Sequence, residues 1–173
     1  MDISALMGDD ALEEAVAMCR ERRNAYADRG SAIHAAIEGA IKGVWPDDPV
    51  LRRAAESAIE AMTGLGASNV CAETVFVCRD EGQPGYGGTV DAHWHGGVVD
   101  FKTVGADVRD PKPTEGAQLV SYRNGLGKGK EVRLWNLYIN RDTGILARPP
   151  FEWKGAGLEA AEAIWRVALD LER

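Results

Sequence analysis

A pair of glycines between two alternating segments is the feature that most constrains this chain. In "GTVDAHWHGGVVDFKT" (residues 88–103), the glycines separate two runs that alternate in polarity, which is typical of a β-hairpin. Because strand side chains alternate with period two, an even-length loop puts Asp91, Asp100 and Lys102 on one face. A Gly96-Gly97 loop pairs Asp91 with Lys102, whereas a shifted loop pairs Asp91 with Asp100, and the sequence allows both registers.

These three ionisable residues indicate chemistry as well as structure. Cross-strand neighbours have Cβ atoms roughly 4.5–8 Å apart, and two carboxylates at that distance repel unless a cation lies between them or one is protonated. Carboxylate oxygens suit Mg²⁺ or Mn²⁺, and a neighbouring lysine can stabilise negative charge that develops on a phosphate. Taken alone, the three residues also fit a surface salt bridge on a solvated sheet face.

Periodicity along the chain predicts helices and strands in an α/β order. Apolar residues spaced three or four apart indicate helices, whereas alternating segments indicate strands. Ser31 is the expected N-cap of the second helix, and Pro49 is expected to begin the third. The predicted helices are 9–27, 31–43, 49–62, 114–127 and 155–172; the predicted strands are 69–78, 87–95, 98–104, 131–140 and a short edge strand at 145–151. This order predicts an α/β fold with a mixed sheet flanked by helices.

Further motifs accompany the hairpin in a fixed order. "RGSAIHAAIE" contains His34, "VCAETVFV" contains Glu73, and "QLVSY" contains Gln118 and Tyr122. Together with Asp91 and the Asp100-Phe101-Lys102 triplet, they resemble the PD-(D/E)XK nuclease superfamily across residues 29–140. The resemblance is to the RecB-like, phage-type exonuclease subgroup, which includes mitochondrial genome-maintenance exonucleases. It implies a restriction-endonuclease-like core within a single nuclease domain spanning 1–173, with an N-terminal helix at 9–27 and a C-terminal helix at 155–172.

The resemblance also implies an activity and a set of site residues. The expected activity is a Mg²⁺- or Mn²⁺-dependent DNA exonuclease that acts on single- or double-stranded ends, in phage recombination or repair. The implied catalytic residues are Asp91, Asp100 and Lys102, and the implied metal ligands are His34, Asp91, Asp100 and the Phe101 carbonyl. Gln118, Tyr122, Glu73 and Glu38 are expected to support the site or the substrate. The chain lacks the iron–sulfur cysteines of some relatives, so no cluster is expected, and the segment before Arg29 departs from the family's usual opening.

Each supporting residue has an ordinary alternative role. His34 and Glu38 are four residues apart and would then form a partly exposed pair on one helix face. Gln118 and Tyr122 have the same spacing and would form a polar helix face. Glu73 would face solvent.

Two other classes of function remain open from the sequence. The net charge of −7 argues against a protein that coats nucleic acid non-specifically. It motivates one alternative to the nuclease, a catalytically silent nucleic-acid-binding or regulatory module on the same fold. The His93-x-His95 pair could instead belong to a zinc or iron enzyme. A local basic rim could still hold phosphates, and its candidate residues, from the run 109–133, are Arg109, Lys112, Arg123, Lys128, Lys130 and Arg133.

Cysteine usage and hydropathy indicate the compartment. Cys19, Cys71 and Cys78 are an odd set without metal-ligand spacing, so reduced thiols are expected, with Cys71 and Cys78 in or near the core. No apolar run reaches the roughly 18 residues of a membrane helix, and the acidic first residues lack a basic signal region. We expect a cytoplasmic, bacterial or phage-encoded protein without a membrane partner, which could associate with itself or with a recombination protein.

Overall fold

One mixed β-sheet organises the part of the chain that the computed structural model describes, residues 9–79, 85–106 and 109–171. In chain order the elements are α1 (Asp9–Ile41), α2 (Pro49–Gly64), β1 (Cys71–Cys78), β2 (Tyr86–Trp94), β3 (Gly97–Val104), α3 (Pro113–Gly125), β4 (Arg133–Asn140), β5 (Phe151–Trp153) and α4 (Gly155–Leu171). The spatial order of the strands is β1-β2-β3-β4-β5. The sequence "DEGQPGYGG" (residues 80–88) predicts a loop; most of it lies outside the described residues, and its last three residues belong to β2.

The connection through α3 decides the one parallel pairing in this sheet. β3 and β4 are parallel from Gly97↔Arg133 to Val104↔Asn140, and the other neighbours are antiparallel. Two parallel strands need a crossover between them, and α3 provides it. Gly116 lets this helix approach closely, because a Cβ there would lie 2.7 Å from the Trp153 indole and 2.8 Å from the Ala161 methyl group.

Helices cover both faces of the sheet and give the molecule two apolar clusters. On one face, α1 and α2 pack on β2, β3 and β4 through residues that include Ile33, Ile37, Ala54, Ala58, Phe101 and Leu137. On the other face, α3 and α4 pack on the sheet through residues that include Val90, Val98, Leu119, Val120, Trp153 and Ala161. The predicted α/β fold, a mixed sheet flanked by helices, is confirmed.

The first two predicted helices form a single helix, so the prediction of Ser31 as an N-cap is wrong. α1 runs unbroken through Ser31. Gly30 is the weak point of this helix, since glycine in a helix interior costs about 0.5–1 kcal/mol. It is also where α1 crosses β3, and a Cβ there would lie 2.9 Å from Thr103 Oγ1. Close packing on the sheet therefore favours glycine at a position where helix propensity does not.

The hairpin loop is His95-Gly96, so the register that pairs Asp91 with Lys102 is wrong. The observed pairs are Ala92↔Val99, His93↔Val98 and Trp94↔Gly97. Gly97 is the first residue of β3. Its neighbours leave no room for a side chain at this position. The indoles of Trp94 and Trp135 stack at 5.5 Å, and a Cβ on Gly97 would lie within 2.5 Å of both rings.

Two smaller expectations have mixed outcomes. Pro49 does begin α2, where Asp48 caps the helix by accepting from the N–H groups of Val50 and Leu51. The edge strand β5 lies after the prolines, because proline cannot donate to a ladder, and the predicted 145–151 segment contributes only a bridge at Leu146 and the first residue of β5.

The cysteines differ from expectation in burial. Cys19 and Cys71 are exposed free thiols and Cys78 is half-buried, so placing Cys71 in or near the core was wrong. Among the described residues, no helix has both the length and the apolar character needed to cross a bilayer.

Substituting alanine at the two hairpin glycines tests the indole packing. Gly97→Ala should lower the free energy of unfolding by about 1–3 kcal/mol, because the new methyl group overpacks a filled site. Gly96→Ala is the matched control: a Cβ there meets its nearest atom, Trp94 Nε1, at 3.6 Å, and we expect a change below about 0.5 kcal/mol. Urea denaturation measures both, and equal losses would contradict the role of the indoles.

Candidate active site

β2 and β3 separate after three residue pairs, and this fork holds the first candidate carboxylate. The ladder from the hairpin ends at Ala92↔Val99, whereas β3 stays paired with β4 along its whole length. Beyond the ladder, the N–H of Phe101 donates to Asp91 Oδ2 at 2.7 Å. The carboxylate of Asp91 thus replaces the missing strand as hydrogen-bond acceptor and is fixed between the two strands.

The backbone is irregular on the other side of Asp91 as well. The β1–β2 ladder passes from Ala72↔Ala92 to Thr74↔Val90 without a Glu73–Asp91 pair, and Glu73 has a φ of 51°. Val90 packs in the α3–α4 cluster, whereas Ala92 packs in the α1–α2 cluster. The prediction that Asp91 and Asp100 share a face assumed strict alternation along β2. That alternation is interrupted at Asp91, which lies between the two faces.

Asp100 is a buried carboxylate held by polar neighbours. It is 2% exposed, and its Oδ2 accepts from Asn136 Nδ2 at 2.7 Å and from Lys102 Nζ at 2.8 Å. Burial raises the pKa of Asp100 to about 7, because desolvation disfavours the charged form, while the positive charge of Lys102 opposes this rise. Trp153 Nε1 donates to Asn136 Oδ1 at 2.7 Å, so the amide that holds Asp100 is itself fixed in place.

Sequence reasoning missed Asn136 and Trp153. The signal for Asn136 was a lone amide inside the otherwise apolar run "RLWNLYI", since a polar group in a buried strand needs a partner. No pattern in the sequence indicated that Trp153 would reach the same amide.

Helix α3 positions Lys102. Lys102 Nζ donates to Gln118 Oε1 at 2.8 Å, and Gln118 Nε2 donates to the hydroxyl group of Tyr122. Burial, with the charges of Asp100 and Asp91, raises the pKa of the Tyr122 phenol, which favours its neutral form. Gln118 and Tyr122, which are four residues apart, therefore both lie on the face of α3 that contacts the sheet beside Lys102.

Helix α1 brings His34 to the fork from the opposite face. His34 Nδ1 lies 3.5 Å from Asp91 Oδ1, and the imidazole meets the Phe101 ring edge-on at 5.8 Å. Burial alone would lower the pKa of His34, but the hydrogen bond and charge of Asp91, with the charge of Asp100, outweigh it and raise the pKa.

Two further acids lie near His34. Glu38 forms an ion pair with Lys42, one turn further along α1. Among the described residues, this pair takes the place of the expected contact between Glu38 and His34. Burial and the nearby charges of Asp91 and Glu38 raise the pKa of Glu73. His34, Glu38 and Glu73 line a cavity of about 470 Å³ beside the fork, together with Gly30 and Thr103.

The fork has two carboxylates, Asp91 and Asp100, that could take part in holding a divalent cation. Within residues 9–79, 85–106 and 109–171, no three His, Cys, Asp or Glu side chains form a group that could hold a metal ion. Mg²⁺ commonly uses one or two carboxylates and takes its remaining ligands from water and substrate phosphates. Asp91 and Asp100 influence each other and His34 electrostatically. They therefore fit a two-carboxylate arrangement better than a site closed by protein ligands.

The two histidines of the hairpin lie in different environments. His93 Nε2 is hydrogen-bonded to Thr74 Oγ1 at 3.0 Å, and His95 is exposed in the turn. Burial and the charge of Lys128 lower the pKa of His93.

Most of the candidate basic rim is engaged in contacts within the protein. Arg109 pairs with Glu115 and Arg133 with Glu152. Arg123 is 2% exposed and pairs with Glu162, and Lys128 Nζ donates to the Trp94 carbonyl at 2.7 Å. The expectation of one solvent-facing rim is wrong for Arg123, since a buried guanidinium cannot belong to an open surface.

Comparisons with known proteins support the fold. No family model matches the chain, and no curated protein matches its sequence. A crystal structure from Eubacterium rectale, of a protein provisionally described as an exonuclease, is similar with a TM-score of 0.55 at 11% sequence identity. The match covers 83% of this chain and 66% of that one, slightly less than two thirds of its length. At this identity the likeness shows a nuclease-like fold and does not extend to a subgroup.

Replacing the buried acid tests its electrostatic environment. An unfolded Asp titrates near a pKa of about 3.9 and native Asp100 near 7, so the native protein binds more protons between these values. Stability contributed by protonated Asp100 is therefore lost as the pH rises towards and through 7. In EDTA, the stability of Asp100→Asn relative to wild type should therefore increase as the pH rises from 4.5 to 7.5. Urea denaturation at each pH measures this difference.

The exposed Asp142 offers the control for that measurement. Asp142→Asn removes one negative charge far from a buried network, so its stability should follow the wild-type pH dependence. If the difference between Asp100→Asn and wild type stayed constant across the same pH range, the raised pKa of Asp100 would be refuted.

Proposed function

We propose that this chain is a metal-dependent nuclease, acting as a single nuclease domain and as an exonuclease on DNA. The observation that carries the proposal is the convergence, at the fork of the sheet, of Asp91, Asp100 and Lys102. These residues match the acid and Asp-x-Lys elements of the PD-(D/E)XK resemblance. The nuclease-like fold provides a second, weaker support.

Asp91 and Asp100 would hold Mg²⁺ or Mn²⁺ with water and phosphate oxygens completing the site, and His34 and the Phe101 carbonyl would join as further ligands if the side chains draw together around the ion. A bound ion of this kind polarises the scissile phosphate and lowers the pKa of an attacking water. The hydrogen bond from the Phe101 N–H fixes one oxygen of Asp91, and Asn136 with Lys102 fixes one oxygen of Asp100. The protein thus pre-orients both carboxylates before any ligand arrives, which limits the reorganisation needed during the reaction.

Lys102 would act on the phosphate or on the attacking water. Its ammonium group is tethered between Asp100 and Gln118, and its side chain retains 23% exposure, so it faces the site without being sealed in the core. A fixed positive charge beside a transferring phosphate stabilises the negative charge that develops there. Gln118 and Tyr122 would hold Lys102 in the orientation that this role requires.

The cavity lined by His34, Glu38 and Glu73 would accept part of the substrate. His34 lines this cavity and lies 3.5 Å from Asp91, so the cavity offers a route to the fork from the α1 side. The acids along this route disfavour phosphates unless cations accompany them, which agrees with a metal-dependent reaction. A DNA end, single- or double-stranded, is the proposed substrate, and action within a larger recombination or repair assembly is compatible with it.

Removing the lysine tests the proposed activity. Lys102→Ala should reduce cleavage of end-labelled linear DNA by about 100-fold or more, because a preorganised charge is lost from the transition state. The assay compares linear and circular DNA, single- and double-stranded, with Mg²⁺, Mn²⁺ or EDTA. Metal-dependent loss of linear DNA with survival of circles identifies an exonuclease.

Lys154→Ala is the matched control for Lys102→Ala, because this exposed lysine pairs with Glu152 and, among the described residues, lies outside the fork. It should cleave DNA like wild type, and circular dichroism verifies that both variants fold. Cleavage by Lys102→Ala at the wild-type rate would refute the proposed role of Lys102 in cleavage. No cleavage by wild type on any substrate would favour the binding-module interpretation.

Metal titration separates His34 from its neighbour on the same helix face. If His34 helps hold the ion at Asp91, His34→Gln should weaken Mn²⁺ binding by about 10–100-fold. Glu38→Gln, one turn further along α1, should change it by less than about threefold, since Glu38 pairs with Lys42 and stays outside the fork. Isothermal calorimetry measures both, and equal affinities for the two variants would argue against a ligand role for His34.

A further inference from the structure

A second polar cavity lies between α3 and α4, around the buried guanidinium of Arg123. Arg123 Nη2 donates to Glu162 Oε1 at 2.9 Å. Its Nε and Nη1 atoms are also buried, and neither has a hydrogen-bond partner among the residues that the structure describes. Buried polar groups in proteins are nearly always satisfied, so these two donors indicate a ligand or solvent beyond the protein's own side chains.

The cavity concentrates positive charge in an acidic protein. It has a volume of about 230 Å³, and its polar lining consists of Arg123, Lys130, Arg166, Glu162 and Asn124, beside the indole of Trp165. Three cations thus face one carboxylate. Their combined effect is visible on that carboxylate: the hydrogen bond from Arg123 and the charges of Arg123, Lys130 and Arg166 lower the pKa of Glu162.

We propose that this cavity is a binding site for a phosphate group. The unpaired donors of Arg123, the two other cations and the Asn124 amide offer more hydrogen bonds than the two oxygens of a carboxylate can accept, whereas a phosphate has three or four oxygens. Arginine also matches phosphate geometry with two parallel N–H bonds. The volume is below the roughly 300–1,000 Å³ of pockets for drug-sized ligands, which favours a phosphate over a whole nucleotide.

Glu162 controls access to Arg123 in this proposal. The Arg123 side chain is 3% exposed and that of its partner Glu162 is 25% exposed, so the carboxylate is the more solvent-accessible member of the pair. A phosphate reaches Arg123 when the Glu162 side chain swings outward, and the two anions then compete for the same donors. Removing the charge of Glu162 should therefore strengthen phosphate binding, whereas removing Lys130 or Arg166 should weaken it.

This opposite response distinguishes a binding site from a structural ion pair. Inorganic phosphate is titrated into the protein at constant ionic strength and followed by calorimetry. Lys130→Gln and Arg166→Gln should each weaken binding at least about threefold, and Glu162→Gln should tighten it by a similar factor. Arg133→Gln is the control, because this exposed arginine also pairs with a glutamate, Glu152, but lies outside the cavity.

A second set of ligands identifies the source of the phosphate. A 5′-phosphorylated dinucleotide is compared with its unphosphorylated form and with inorganic phosphate. Tighter binding of inorganic phosphate assigns the site to the free ion, and tighter binding of the phosphorylated dinucleotide assigns it to a nucleic-acid end. The proposal is overturned if wild type binds no phosphate compound at millimolar concentration, or if Lys130→Gln/Arg166→Gln binds phosphate as wild type does. The titrations are made in EDTA, and only the binding that Lys130→Gln/Arg166→Gln loses is assigned to the cavity, so these outcomes are distinguishable from binding at the fork and from the proposed nuclease activity.

Discussion

The hydrogen bond from the Phe101 N–H to Asp91 Oδ2 is the contact on which the candidate site depends. A sheet normally satisfies its backbone donors with a neighbouring strand, and here a side chain does so at the point where β2 leaves β3. The opening of the sheet therefore leaves no unsatisfied donor at Phe101. It also sets a carboxylate at the bottom of a fork that helices approach from both faces.

Burying a second carboxylate next to the first is the main electrostatic difficulty of this arrangement. A buried charge is tolerated when it is paired and hydrogen-bonded, and Asp100 has both kinds of partner in Lys102 and Asn136. Each partner is held in turn, Lys102 by Gln118 and Asn136 by Trp153. The result links β3, β4, β5 and α3 through side chains. The geometry around Asp100 is therefore set by four separate parts of the chain.

Much of this arrangement was predictable because it depends on local patterns. The alternation on both sides of the glycine pair predicted the hairpin, and the i, i+4 spacing of Gln118 and Tyr122 placed them on one helix face. The order of helices and strands predicted the α/β class. The errors arose where packing overrides local preference. The hairpin loop is His95-Gly96, and Gly97 lies in the strand where the indoles of Trp94 and Trp135 stack. Gly30 remains within an unbroken α1, where the helix packs closely on Thr103.

By itself, the sequence determined the class of fold and the residue types available for chemistry, because periodicity and spacing are properties of neighbouring residues. Only the tertiary structure decided which strand edge would open, that Asp91 would cap a backbone donor there, and that Asn136 and Trp153 would hold Asp100. It also decided that Arg123, which looks like a surface cation in the sequence, would be buried against α4. These outcomes depend on contacts between residues far apart in the chain, whose energies are set by burial and by the geometry of the assembled sheet.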